Sequence, residues 1–271
     1  MNREREKKKV LPYSRQFINK RDILEVNNSL KNDLITTGNV LIKFENALSN
    51  FCNVKYSVVS NSATSGLHLA CLALELNSNE IVWCSANSFV STANCAVFCG
   101  AKIDFVDINL NDYNIDASIL ELKLQETQLK DRPKILIITH IGGYSADMKK
   151  IYSLSKKYNF KIIEDASHAL GAKYENENIG SCRYSHITVF SFHPIKSITT
   201  GEGGACLTNS RKYFLKMKLL RSHGIEKNIK KKNYPPYYYE QKYLGYNYRM
   251  NDIEATLGIS QLSNINFFLK K

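Results

Sequence analysis

The chain of 271 residues contains no run approaching the roughly 18 consecutive apolar residues that a membrane-spanning helix needs, so no span is expected. Its charged opening, residues 1–9, leads into Pro12, Ser14, Arg15 and Gln16 rather than into an apolar stretch. A secretory signal is therefore not expected, and a cytoplasmic location is. No Cys-x-x-Cys pair occurs. The cysteines (Cys52, Cys71, Cys84, Cys95, Cys99, Cys182 and Cys206) are odd in number, irregularly spaced and mostly set among apolar neighbours. That pattern excludes a regular metal-binding framework and points to buried, reduced thiols. Neither an internal repeat nor a low-complexity linker is present. The length suits one large domain or two small ones, and a hydrophobic share of 44% is enough for a sizeable core.

Acidic residues are in deficit, at 25 against 37 Lys and Arg, for a formal net charge of +12. The excess is partly local, in residues 3–9 and in residues 227–232. A solvated surface explains it without a nucleic-acid partner, and attraction of an anionic, phosphate-bearing substrate is a further reading.

What is present is an alternation. Strands are expected over residues 56–60, 81–85, 102–107, 135–140, 160–165, 187–193 and 204–208. Helices are expected over 63–76, 90–99, 118–130, 148–158 and 212–221. Several strand runs are apolar through their middles, as in strands covered on both faces, so the expected fold is α/β with a mostly parallel sheet. Residues 227–239, basic and tyrosine-rich with Pro235 and Pro236, read as an irregular excursion. A helix resumes after Asn251, a candidate N-cap with Glu254 three residues on.

In such sheets, ligands gather at the carboxyl ends of the strands, and four features fall there. Lys196 follows a strand, in a turn dense with Ser, Thr and Gly. A lysine in a loop is ordinarily a surface lysine, but a desolvated one forms a Schiff base with an aldehyde. Asp165 ends a strand, where it either caps the next segment or pairs with a protonated ring nitrogen. His168, three residues on, is either a core histidine or a neighbour of the same ring. Ser62, Ala63 and Thr64 open a helix, where capping or an anion site is possible. Phe89 is either core or a stacking platform. An anion cradle, an aromatic face, an acid and an aldehyde trap are the parts that pyridoxal phosphate requires.

At NSATSGLHLACLAL, NSFVSTANCAVFCGA, IIEDASHALGA, SFHPIKSITTGEGGA, LLRSHGI and LGYNYRMNDIEATLGISQL the chain resembles the DegT/StrS-type sugar aminotransferases, a branch of the aspartate-aminotransferase (type I) fold. The resemblance runs from about residue 11 to 262, with the motifs in family order. Segments such as DASHALGAKY and YYYEQKYLGYNYRMND resemble the pseudaminic acid branch. The resemblance implies pyridoxal 5'-phosphate bound by Lys196, with Asp165 on the pyridine nitrogen, Phe89 on a ring face and His168 near the ring hydroxyl. It implies that Ser62, Ala63, Thr64 and Ser191 hold the phosphate, and that Asn247 reaches the phosphate in a partner protomer. It also implies a homodimer, glutamate as donor and a nucleotide-linked 4-keto-6-deoxy sugar as acceptor. A related branch with histidine at the lysine position dehydrates instead; Lys196 here favours transamination.

The expected division is an N-terminal segment (1–30), a cofactor-binding large domain (31–250) and the start of a smaller C-terminal domain (251–271), most of which the sequence lacks. Exposed apolar surface is therefore expected around Leu257, Ile259, Leu262, Phe267 and Phe268.

Overall fold

In the computed structural model the described residues are 12–226, 235 and 237–270, so both basic clusters and most of the excursion lie outside them. The elements run α1 (Lys20–Ser29), α2 (Asn39–Cys52), β1 (Tyr56–Ser60), α3 (Ala63–Ala73), β2 (Ile81–Ser85), α4 (Val90–Phe98) and β3 (Lys102–Val106). Next come α5 (Ala117–Glu126), β4 (Ile135–Thr139), α6 (Met148–Tyr158), β5 (Lys161–Asp165), and a short hairpin of β6 (Lys173–Tyr174) and β7 (Glu177–Asn178). The last are β8 (Ile187–Ser191), β9 (Gly204–Thr208), α7 (Arg211–Leu220), a second short pair of β10 (Ile225–Glu226) and β11 (Glu240–Gln241), α8 (Asp252–Ser263) and α9 (Ile265–Phe268).

Seven strands form one sheet in the order β1-β9-β8-β5-β4-β2-β3. Only β9 runs against its neighbours in this sheet. The expected mostly parallel α/β sheet is thus present, with every expected strand and helix close to its expected bounds. Side chains alternate between two covered faces. Ile135, Ile137, Ile163 and Val189 point to the layer of α3, α4 and α7, where Leu67, Leu69 and Met217 are buried. Leu136, Ile138 and Ile162 point the other way, to Leu120, Leu124 and Ile151 of α5 and α6. On that second face Phe190 and Phe192 meet α2 and α8, and the Phe44 and Phe192 rings lie 5.3 Å apart.

The α5 helix stops at Glu126, short of the expected 130. Thr127 takes an extended conformation and its hydroxyl donates to the Lys123 carbonyl, after which a separate turn of 3-10 helix follows. The Asn251 cap is realised as a full capping box with Glu254. Leu262 is buried rather than exposed, because α8 packs its inner face on α1 and α2; Phe267 alone of the five named apolar residues is clearly exposed.

Three helices lie outside the expected elements, α1, α2 and the short α9. Asp22 of α1 is fully buried and accepts from Ser260 Oγ at 2.6 Å and from Gln261 Nε2 at 2.7 Å, which pins α1 to α8. Glu45 of α2 is buried beside Arg221. Arg221 Nη1 donates to Glu45 Oε1 at 2.6 Å and to the Val59 carbonyl at 2.7 Å, tying α2 to β1 and the end of α7. No helix among the described residues is long and apolar enough to cross a membrane.

Candidate active site

The carboxyl ends of β1, β8 and β5 and the start of β9 meet along one edge of the sheet. The register places Ser60 opposite Gly204 and Gly204 opposite Ser191. Ser62 is the N-cap of α3 and accepts from the Ser65 N–H at 3.1 Å, so the capping reading holds. The first turn of α3 still directs main-chain N–H groups at the sheet edge, with Ala63 and Thr64 beside Ser62, as an anion site requires. Gly204 makes this approach possible. A Cβ there would lie 2.6 Å from Ser62 C, Ser62 O and Ala63 N. Ser60 Oγ donates to the Ser62 carbonyl at 2.9 Å, and Asn61 N–H donates to the Tyr248 carbonyl at 3.0 Å. The cradle is therefore braced from both the sheet and the 246–249 segment.

Asp165 stands at the end of β5, 2% exposed, on the face covered by α3 and α4. Thr92 Oγ1 donates to its Oδ2 at 2.6 Å and Ser167 Oγ to its Oδ1 at 2.6 Å. These donors fix the plane of the carboxylate. Thr92 was not among the expected site residues, although it lies in the quoted NSFVSTANC segment. Its N–H donates to the Phe89 carbonyl at 2.9 Å, so one helical turn carries both Phe89 and the support of Asp165. Phe89 is the N-cap of α4 and is 70% exposed, which excludes the core reading.

Lys196 is half-buried in the turn after β8, its N–H donating to the His193 carbonyl at 2.9 Å. Burial pushes its ammonium below the ordinary lysine range, against the pull of the Asp165 charge. His168 is likewise lowered by burial first and by the Lys196 charge second, with Asp165 opposing. The three groups thus share one electrostatic site. His193 Nδ1, in the same turn, is buried without a hydrogen-bond partner.

A second buried pair supports this site from the opposite face of the sheet. The Ala146 N–H donates to His140 Nδ1 at 3.4 Å, so the ring proton sits on Nε2, which lies 2.8 Å from Glu164 Oε2. Thr188 Oγ1 donates to Glu164 Oε1 at 2.8 Å. Burial alone would raise the Glu164 carboxyl, but His140 and the Ser185 and Thr188 hydroxyls hold it below its ordinary value. This pair anchors the start of the turn at Ile141–Gly143, and the Gly142 N–H in that turn reaches His168. The only sequence signal for the pair is polarity inside two otherwise apolar strand runs.

Beside Lys196 lies a cavity of about 210 Å³, lined among others by Arg15, Phe17, Pro194, Thr199 and Gln261. Ser191 borders the cradle, its Oγ accepting from the His193 N–H at 3.4 Å. The structure thus brings Ser62, Ala63, Thr64, Asp165, His168, Ser191 and Lys196 to one sheet edge. Asn247 differs: it is exposed and pairs through its main chain with Ser222, while its neighbour Tyr248 makes the contact with the cradle. Among the described residues no group of His, Cys, Asp or Glu is arranged to hold a metal ion, and all seven cysteines are free.

Residues 16–271 match the family profile described as the DegT/DnrJ/EryC1/StrS aminotransferase family. The chain is 42% identical over 264 residues to the UDP-4-amino-4,6-dideoxy-N-acetyl-beta-L-altrosamine transaminase of Campylobacter jejuni, covering 97% of this chain and 66% of that protein. Its fold superposes with a TM-score of 0.85 on Helicobacter pylori PseC, an aminotransferase involved in the biosynthesis of pseudoaminic acid, at 36% identity; the match covers 94% of this chain and 66% of that one. The PLP-form of the putative sugar aminotransferase Spr1654 from Streptococcus pneumoniae gives a TM-score of 0.83 at 26% identity, covering 95% and 67% of the two chains. The chain thus spans just under two thirds of the length of the curated Campylobacter relative.

Proposed function

The chain belongs to the DegT/DnrJ/EryC1/StrS aminotransferase family, and from that premise we propose that it binds pyridoxal phosphate and moves an amino group from glutamate to C4 of a nucleotide-linked 4-keto-6-deoxy sugar. The acceptor we assign is UDP-4-keto-6-deoxy-N-acetyl-altrosamine, in pseudaminic acid biosynthesis. The observation that carries the reading is a half-buried lysine, lowered by burial, sharing a site with a buried aspartate that Thr92 and Ser167 hold by hydrogen bonds, beside the N-terminus of α3.

The residues present fit the cofactor. Gly204 leaves the first turn of α3 pressed on the sheet edge, and Ser62, Ala63, Thr64 and Ser191 would hold the phosphate there. Asp165 would accept from the ring nitrogen, Phe89 offers an exposed face and His168 would lie near the ring hydroxyl. When bound, the cofactor supplies an aldehyde for amines and a ring that takes up electrons from the reacting carbon. The protein's part is orientation and proton transfer. Thr92 and Ser167 hold the Asp165 carboxylate in one plane. Lys196 Nζ, with a larger neutral share than a solvated lysine has, takes a proton from the substrate carbon and returns one. The basic surplus draws in a diphosphate-bearing substrate. The reading includes a cytoplasmic homodimer in which Asn247 reaches the partner protomer's phosphate site.

Borohydride reduction of the protein after incubation with pyridoxal phosphate should fix the label on the peptide containing Lys196. Label elsewhere would overturn the lysine assignment. Assays with glutamate and a panel of UDP- and GDP-linked keto sugars test the acceptor. Transfer only to a different sugar would overturn the substrate, and cofactor binding without any transfer would overturn the activity.

A further inference from the structure

A single residue, Asn61, joins the end of β1 to Ser62, the N-cap of α3. Its main-chain N–H donates to the Tyr248 carbonyl at 3.0 Å. Its side-chain Oδ1 accepts from Ser65 Oγ, and Ser65 Oγ lies 2.7 Å from Ser62 Oγ. A hydroxyl has one proton to give. That of Ser65 goes to Asn61, so the contact between the two serines uses the proton of Ser62. Ser62 Oγ in turn accepts the Ser65 N–H at 3.1 Å. The Ser62 hydroxyl is therefore engaged inside the turn, and the first-turn donors that face an anion are the Ala63 and Thr64 N–H groups with the Thr64 hydroxyl. Main-chain donors cannot turn on their own; the backbone at Asn61 and Ser62 sets their direction.

Tyr248 is itself fixed at three points. Its N–H donates to the Arg221 carbonyl at 3.0 Å. Its ring stacks on that of Tyr246, with centroids 4.9 Å apart and planes 11° apart. Its hydroxyl lies 3.1 Å from Nδ1 of His68. His68 is 2% exposed and belongs to α3, and its ring meets Tyr246 edge-on at 4.9 Å. Helix α3 thus holds, through His68, the residue whose carbonyl holds the chain entering α3.

We propose that His68 and Tyr248 are a pair of positioning residues for the phosphate cradle, acting on the anion only through Asn61. The hydrogen bond between them sets how far the 246–249 segment stands from α3. The Tyr248 carbonyl then holds Asn61 against that segment, and Asn61 aims the N–H groups of the first turn. The proposal rests on the reading of the α3 N-terminus as a phosphate site, and not on the lysine chemistry or on the identity of the sugar.

The test is a double-mutant cycle on the full chain, read by titration with inorganic phosphate and with pyridoxal phosphate. Tyr248→Phe keeps the ring stack and removes only the hydroxyl; His68→Leu removes the partner. Each should weaken both ligands about three- to ten-fold, the worth of one neutral hydrogen bond. The double variant should lose no more than either single one. His68→Asn keeps an acceptor near the place of Nδ1 and should restore most of the affinity, which a residue that only fills space would not show. Amide hydrogen exchange at Asn61 should quicken in Tyr248→Phe, while exchange in the middle of β8 stays as it was. Unchanged affinity in Tyr248→Phe, or losses that add in the double variant, would overturn the proposal and leave the phosphate site standing. A wild-type chain that binds neither ligand would overturn the phosphate site, and the proposal with it. Tyr248→Phe, with its exchange readout, decides the question even where His68→Leu fails to fold.

Discussion

The main-chain N–H of Gly142 donates to Nδ1 of His168 across 3.3 Å. A main-chain N–H has no other role than donor, so His168 Nδ1 is an acceptor and its neutral ring carries the proton on Nε2. Gly142 holds φ at 60°, a left-handed conformation. The neighbouring turn residues are set by the buried pair of His140 and Glu164, so the tautomer of a site residue is decided from the far face of the sheet.

This relationship is measurable without cofactor. Nitrogen-15 spectra of the His168 ring should show Nδ1 unprotonated and Nε2 protonated. His140→Gln should blur that preference by loosening the turn, while leaving the Lys196 turn in place. A His168 ring with the proton on Nδ1 in the wild-type protein would contradict the structure.

Asp165→Asn keeps the shape of the side chain but removes its charge and leaves one acceptor oxygen where Thr92 and Ser167 each had one. Charged hydrogen bonds contribute roughly 1.5–3 kcal/mol, so pyridoxal phosphate affinity should fall about ten- to a hundred-fold. Titration of the protein with the cofactor, followed by absorbance, gives the value. Unchanged affinity would remove Asp165 from the ring-nitrogen role.

Gly204→Ala places a methyl group against the main chain of Ser62 and Ala63. Neither strand nor helix can yield easily there, so unfolding stability should drop by about 1–3 kcal/mol. Phosphate-bearing ligands should also bind more weakly, because the first turn of α3 is pushed off the sheet. Urea unfolding and inorganic phosphate titration read the two effects separately.

Acid should destabilise the fold through His186. Its Nδ1 accepts the Ile162 N–H at 3.1 Å, and burial, followed by Lys161 and Lys156, pushes its pKa from 6.5 down to about 4. The unfolded chain therefore takes up this proton first. The contribution is complete above 6.5 and is lost as the pH falls towards 4. His186→Asn keeps an acceptor without a titrating group and should flatten the fall in urea midpoint across that window.

Glu45→Ala leaves Arg221 buried without its carboxylate, with Arg221 Nε already lacking a partner. The loss should be about 3–5 kcal/mol, and replacing both residues by apolar ones of similar volume should cost less. A double-mutant cycle by chemical denaturation gives the coupling.

Much of the sheet was legible because its strands are short apolar runs bounded by polar turns, and β1, β2 and β9 occupy the expected residues. The candidate site was legible for the same reason: strand ends mark where ligands gather, and Asp165, Ser191 and Lys196 sit there. Helix α1 was not legible. Its buried residues are Asp22 and Ser29, both polar, so no apolar repeat announces it. It is held by Asp22 reaching Ser260 and Gln261, far along the chain. Helix α2 does carry buried Leu41, Phe44, Leu48 and Cys52 at helical spacing, and that repeat was open to reading. Thr92 and His140 were hidden because a polar residue in a buried element has no meaning until its partner is known.

By itself, the sequence determined the alternation of elements, the parallel character of the sheet and the chemistry-bearing residues at its edge, because apolar periodicity and turn chemistry are local properties of the chain. The tertiary structure alone decided the tautomer of His168, the plane of Asp165, the lowered ammonium of Lys196 and the meeting of Cys71 with Cys95. Each of these depends on burial and on partners distant in sequence, and desolvation and hydrogen-bond geometry come into being only when the chain packs.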